Sequence, residues 1–153
     1  MAIEEITSSK LEELKQMPKR VTNPQARRKF EEKHERTDYE VLALEEQYKF
    51  RIYMRQNVTD TEDFSCGIRW LMPSGETLTL ARYNGSSHIH DDIEYECHVH
   101  RATEEAILQG RKPECHAVHT NQHCTVSGAL YRLMKDFNIT GLDCRPDQPG
   151  LPL

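Results

Sequence analysis

The chain contains no apolar run that approaches the length of a membrane-spanning helix, so no membrane anchor is expected. The opening of a secretory leader is missing too. MAIEEITSSK places acids where basic residues and then an apolar stretch would stand, which points to a cytoplasmic protein. There is no CxxC spacing. Cys66, Cys97, Cys115, Cys124 and Cys144 are an odd set that reads as free thiols in a reducing compartment, with one or two available to a metal. Nor is there an excess of basic charge, since 20 Lys and Arg face 25 Asp and Glu for a net charge of -5. That balance argues against indiscriminate coating of nucleic acid and leaves local basic patches as the way to hold phosphate. No internal repeat or low-complexity tract is present.

What remains is 153 residues, enough for one domain with a core that needs no staples. Hydrophobic residues make up only 37% and the mean hydropathy is -0.77, so part of the chain is expected as exposed helix or tail. Residues 1–38 read as a charged N-terminal helical segment. Ser8 or Ser9 would cap a helix ending near Pro18, and Asn23-Pro24 would start a second one across QARRKFEEKHER. That second helix has little apolar content and suits a surface or a partner protein. Residues 39–142 form the expected core domain, with strands in YEVLAL, YKFRIYMRQ, DFSCGIRWLM, ETLTLARYN and IEYECHVH. In KFRIYMR, alternation sets Phe50, Ile52 and Met54 against Lys49, Arg51, Tyr53 and Arg55. Pro73-Ser74-Gly75 marks a hairpin turn, and Trp70, Leu78 and Leu80 are core candidates.

Further along, Thr103 caps a short helix ending at Gly110, and HAVHTNQH reads as extended. Val126 to Phe137 follows as a helix with Leu130, Leu133, Met134 and Phe137 on one face, ended by Asn138 and Gly141. Residues 143–153 are a Pro-rich tail, expected to be loose. The fold class is α+β, an antiparallel sheet of about five strands flanked by N-terminal and C-terminal helices. Helical arms around a small sheet also fit a homodimer.

The densest chemical signal is a doubled His-x-His pattern, His88-Ile89-His90 and His98-Val99-His100. In a strand, side chains two apart share a face, so each pair sets two imidazoles side by side, and pairing of the two segments as neighbours would gather all four. Two chemistries fit. In one, His88, His90, His98 and His100 bind zinc or another divalent transition metal, which needs three or four donors. HIHDDIE also matches the first half of the cupin metal motif, whose second half is absent. In the other chemistry, no cofactor is required. Histidines act as acid and base on RNA while arginines balance charge growing on phosphorus. Arg51, Arg55 and Arg101 are the candidate phosphate contacts there, beside Tyr83 and Tyr95 as groups that stack on bases or hold phosphate. A third class is a non-enzymatic protein docking through its N-terminal helices.

The stretch LARYNGSSHIHDD…YECHVHRATEEA, with a later helix ending FNI, resembles a loose group of small bacterial proteins that includes the TumE-like toxins of toxin–antitoxin pairs. The shared pattern is a strand ending Arg-Tyr-(Asp/Asn), then one or two histidines, then a His-x-His strand. It covers residues 64 to 140 and maps onto Arg82, Tyr83, Asn84, His88, His98 and His100. Asn84 stands where the pattern has Asp, so no carboxylate role carries over there. The resemblance implies a toxin-like ribonuclease with RNA as substrate and a cognate antitoxin as partner. Its catalytic candidates are His88, His98, His100, Arg82 and Tyr83.

Overall fold

Alternation of buried and exposed side chains runs through most of the chain and builds one large sheet. The computed structural model describes residues 6–45, 47–86 and 97–147, together with the backbone of 89–90 and 93–94. In order, the elements are α1 (Ser8–Gln16), β1 (Lys19–Val21), β2 (Lys29–Glu31), β3 (His34–Ala43), β4 (Lys49–Asn57), β5 (Phe64–Leu71) and β6 (Thr77–Asn84). Then come β7 (Ile89–His90), β8 (Ile93–Glu94), β9 (His98–Arg101), α2 (Glu104–Leu108), β10 (His116–His119), α3 (Val126–Asp136) and β11 (Ile139–Thr140). Nine strands form an open sheet in the order β10-β9-β6-β5-β4-β3-β1-β11, with β2 beside β3. The sheet is antiparallel except where β1 meets β11. β7 and β8 pair only with each other.

The class is α+β, but the sheet has nine strands, not about five. β1, β2 and β11 lie in stretches read as helix or turn, and two or three residues are too few to show a period. The second N-terminal helix does not exist. Residues 29–31 and 34–43 are antiparallel strands joined by a two-residue turn, with Glu32 at φ 55. Its cap residue does other work, since Asn23 Oδ1 accepts from the Glu40 backbone N–H at 2.6 Å. A helix there would have had no apolar stripe to bury. As a strand, the segment sends Thr37 and Val41 into the core and Arg36, Asp38 and Glu40 to the opposite side. Between residues 19 and 38 the chain therefore supplies β1, β2 and the start of β3 to the sheet and no helical arm.

α1 is capped by Thr7, whose hydroxyl accepts from Lys10 N–H at 3.0 Å, one residue earlier than the serines expected to do so. α2 and α3 start as read, with Thr103 and Thr125 as caps. α3 lays Ala129, Leu130, Leu133, Met134 and Phe137 on β4, β5 and β6. It covers Phe50, Ile52, Cys66, Ile68 and Tyr83, all fully buried. Lys19 sits in this core with its ammonium hydrogen-bonded to the carbonyls of Lys15 (3.1 Å), Met17 (2.9 Å) and Phe137 (2.7 Å). It thus ties the C-terminal ends of α1 and α3 to β1. The tail is held as far as Asp147, whose carboxylate accepts from Cys124 N–H, Thr125 N–H and the Thr125 hydroxyl. Residues 148–153 lie outside the described residues. Among the described residues, no helix is long and apolar enough to cross a membrane.

Candidate functional site

The face of the sheet away from α3 is polar, and the ladder register sets its side chains in files across the strands. One file is Arg36–Arg55–Ser65–Asn84–His98, and the next is Asp38–Tyr53–Gly67–Arg82–His100. Beyond them, Glu40, Arg51 and Arg69 continue the face. A cleft of about 300 Å³ opens here, with Arg36, Arg55, Arg69 and Arg82 on its walls, Tyr53 and Asn84 among them, and Lys112 at its rim.

Tyr53 is laid across the sheet by a missing side chain. A Cβ on Gly67 would come within 2.5 Å of the Tyr53 ring, so only glycine leaves the room. The ring carries two guanidiniums near it, Arg69 at 4.9 Å and Arg36 at 5.5 Å from its centroid. Arg36 is also bound to Asp38 by three contacts of 3.1–3.2 Å, and that hydrogen bonding raises its already high pKa. Arg51 is taken by Glu40 at 2.9 Å. Arg82 meets Glu114 Oε2 at 2.9 Å, and Glu114 is almost fully buried, with the Lys112 ammonium 3.6 Å from the same oxygen. Arg55 and Arg69 have no carboxylate partner among the described residues.

His98 and His100 lie on β9 behind Asn84 and Glu114, next to the cleft and not on its wall. Both are buried, with ring centroids 5.0 Å apart and edge-on. Their tautomers follow from their neighbours. His100 Nδ1 lies 3.0 Å from the Glu114 carbonyl, which can only accept, so Nδ1 carries a proton. His98 Nε2 lies 3.4 Å from Asn84 Nδ2, which can only donate, so His98 carries its proton on Nδ1. Asn84 Oδ1 accepts from Ser65 Oγ at 2.8 Å, and Ser65 Oγ meets Tyr53 Oη at 3.4 Å. A hydrogen-bonded line thus runs from the tyrosine on the cleft wall to the histidine behind it. Behind Asn84, His123 donates its Nε2–H to the Asn84 carbonyl at 2.9 Å, and burial pushes its pKa down.

The predicted residues divide between the two faces. His98, His100, Arg82, Asn84, Arg55 and Arg51 share the polar face. Tyr83 and Arg101 point the other way. The Tyr83 hydroxyl donates to Asp136 of α3 at 2.5 Å, and Arg101 meets the same carboxylate at 3.3 Å. Neither reaches the cleft, because residues one apart on a strand take opposite faces. Ile89–His90 and His98–Arg101 do not pair with each other as strands. β7 pairs with β8, whereas β9 lies between β6 and β10. His88 and Tyr95 lie outside the described residues, and of His90 only the backbone is described. Among the described residues, no three His, Cys, Asp or Glu side chains gather closely enough to hold an ion. Sequence reading missed Arg36, Asp38, Glu114 and Lys112. The first two were assigned to a helix, and the others sit in a loop with no motif.

A larger groove, about 610 Å³, lies between α1 and α2. Its walls carry no histidine, and its only arginine is Arg101, already held by Asp136. The polar face is the better candidate. No family model matches the chain, and neither a curated protein nor a solved structure shows significant similarity to it.

Proposed function

We propose that the arginine-walled face binds a phosphodiester of RNA and that the His98–His100 pair supplies acid–base chemistry to cleave it. The observation that carries this reading is the pair Arg55 and Arg69, two guanidiniums on the wall of one cleft without a salt bridge among the described residues, while the cleft's two acids, Asp63 and Glu114, are engaged by His34 and by Arg82 and Lys112. They stand on either side of the Tyr53–Gly67 pair, and a phosphate oxyanion is the ligand whose charge and oxygens match such forks of donors. A metal is not required for this chemistry. One imidazole of the pair takes the proton of the 2′-hydroxyl as its oxygen attacks phosphorus. The other imidazole, in its protonated form, gives a proton to the departing 5′-oxygen, leaving a 2′,3′-cyclic phosphate. His98 and His100 stand behind Asn84 and Glu114, so the scissile phosphate belongs at the Arg82 end of the cleft, displacing Glu114 from Arg82. The expected result is that His100→Ala abolishes RNA cleavage while circular dichroism shows the fold retained. Cleavage at the wild-type rate by that variant overturns the proposal.

One observation favours a second reading. An imidazole donating Nδ1–H to a backbone carbonyl, as His100 does to Glu114, has the outer support typical of a metal-bound histidine. His88, His90, His98 and His100 would then hold a divalent transition metal such as zinc. Elemental analysis of untagged protein tests it. One ion per chain, lost in a His98→Ala, His100→Ala double variant, supports a metal centre, and a metal-free protein after incubation with excess zinc removes it.

A further inference from the structure

The file that crosses the cleft does not stop at Arg36. β2 pairs with β3 so that Lys29 lies opposite Arg36, and the line becomes Lys29–Arg36–Arg55–Ser65–Asn84–His98. Strands are about 4.8 Å apart, so Lys29 to Asn84 spans roughly 19 Å across the sheet. Its first three members are cations. Lys29 is exposed at the sheet edge and Arg55 is exposed next to the cleft, neither with a carboxylate partner among the described residues. The same-face positions on either side are different. Glu31 stands beside Lys29 on one side of the line, and Asp38 beside Arg36 on the other. The file thus starts beside one acid at the sheet edge, has Asp38 bound to its Arg36, and leads into the cleft where Arg82 and Arg69 add further positive charge, on a chain whose net charge is -5.

From this juxtaposition we infer that the β2–β3 hairpin extends the cleft into a track for single-stranded RNA, laid across the strands from Lys29 to the histidines. This rests on the phosphodiester reading and adds the substrate class and its path. One backbone is attracted along the file; of the acids beside it, Glu31 repels and Asp38 is already matched by Arg36. A duplex presents two backbones, and its second would lie over those acids. The track also reconciles phosphate binding with an acidic protein, because attraction is confined to the file and the cleft it enters.

The test compares three probes on the full chain: inorganic phosphate, a short oligouridylate, and duplex RNA of the same length. The wild type is expected to bind the oligouridylate more tightly than either of the others. Lys29→Ala removes one phosphate contact. At about 0.1 M salt it should weaken oligouridylate binding about fivefold and lower the slope of log K against log salt by about 0.7. Phosphate binding, which belongs to the cleft, should not change. Glu31→Lys should tighten the oligouridylate, a gain that misfolding cannot imitate. Wild-type oligouridylate affinity and slope in Lys29→Ala, or duplex RNA bound as tightly as the single strand, overturn the track while phosphate binding keeps the cleft reading. Failure of the wild type to bind any of the three overturns both.

Discussion

Single side chains decide what the polar face can do, and Gly67 is the most demanding of them. Gly67→Ala should push the Tyr53 ring off the sheet, with overpacking costing about 1–3 kcal/mol. Urea unfolding and phosphate binding should both report it, since Arg36 and Arg69 rest on that ring. Lys19 makes a separate test, far from the cleft. Burial pushes its ammonium down to about 7, against 10.5 in the unfolded chain. Between those values the unfolded state binds more protons, so this group makes the fold more stable as pH rises from about 7 toward 10.5. Lys19→Met should remove that pH-dependent part. At neutral pH it should also destabilise the protein by about 2 kcal/mol, because three backbone carbonyls lose their donor. Urea midpoints of both proteins at pH 7 and pH 9.5 check the two effects together.

Among the elements, the β2–β3 hairpin and the α3 cap are the least conventional. Glu32 holds φ 55 with a full side chain in the hairpin turn. Glu32→Gly should therefore stabilise the fold, by up to about 1 kcal/mol, as read from the urea midpoint. At the start of α3, the Asp147 side chain reaches back over the chain and adds two backbone N–H bonds and one hydroxyl bond to the Thr125 cap. Burial works to raise this carboxyl, and the hydrogen bonds from Thr125 and Cys124 outweigh it, leaving its pKa lowered. A lowered carboxylate stabilises fully above its unfolded value of 3.8 and loses that contribution as pH falls through the folded value. Asp147→Ala should cost about 1–2 kcal/mol at neutral pH and flatten the acid limb of the stability curve.

Across the whole molecule, the legible parts were those where a period runs for eight residues or more. β4, β5, β6 and α3 could be read from alternation or from the Leu130–Leu133–Met134–Phe137 spacing. The Pro73-Ser74-Gly75 turn was legible from chemistry alone, with Gly75 at φ 93. The stretch from Asn23 to Asp38 was not. A helix cap and a strand-pinning asparagine look alike in sequence, and polar alternation in ERTDY carries no apolar marker. The site was half legible. Local alternation groups His98 with His100 and Arg51 with Arg55. It cannot show which strands become neighbours, so Arg36 and Glu114 stayed invisible and Tyr83 was assigned to the wrong face. Register, a long-range property, is what turns scattered arginines into a cleft.

The parallel pairing of β1 with β11 carries a temporal consequence. Lys19 is made 118 residues before the Phe137 carbonyl that it binds. At synthesis rates of about 5–20 residues per second, the early segment waits roughly 6–24 seconds for its late partner. During that interval an apolar edge and a lysine meant for burial stand open on the ribosome. The rest of the sheet, built from hairpins between successive strands, can assemble as it emerges. β1 therefore stays without this partner until α3 and β11 have been made, and that helix and strand act as the closing stitch.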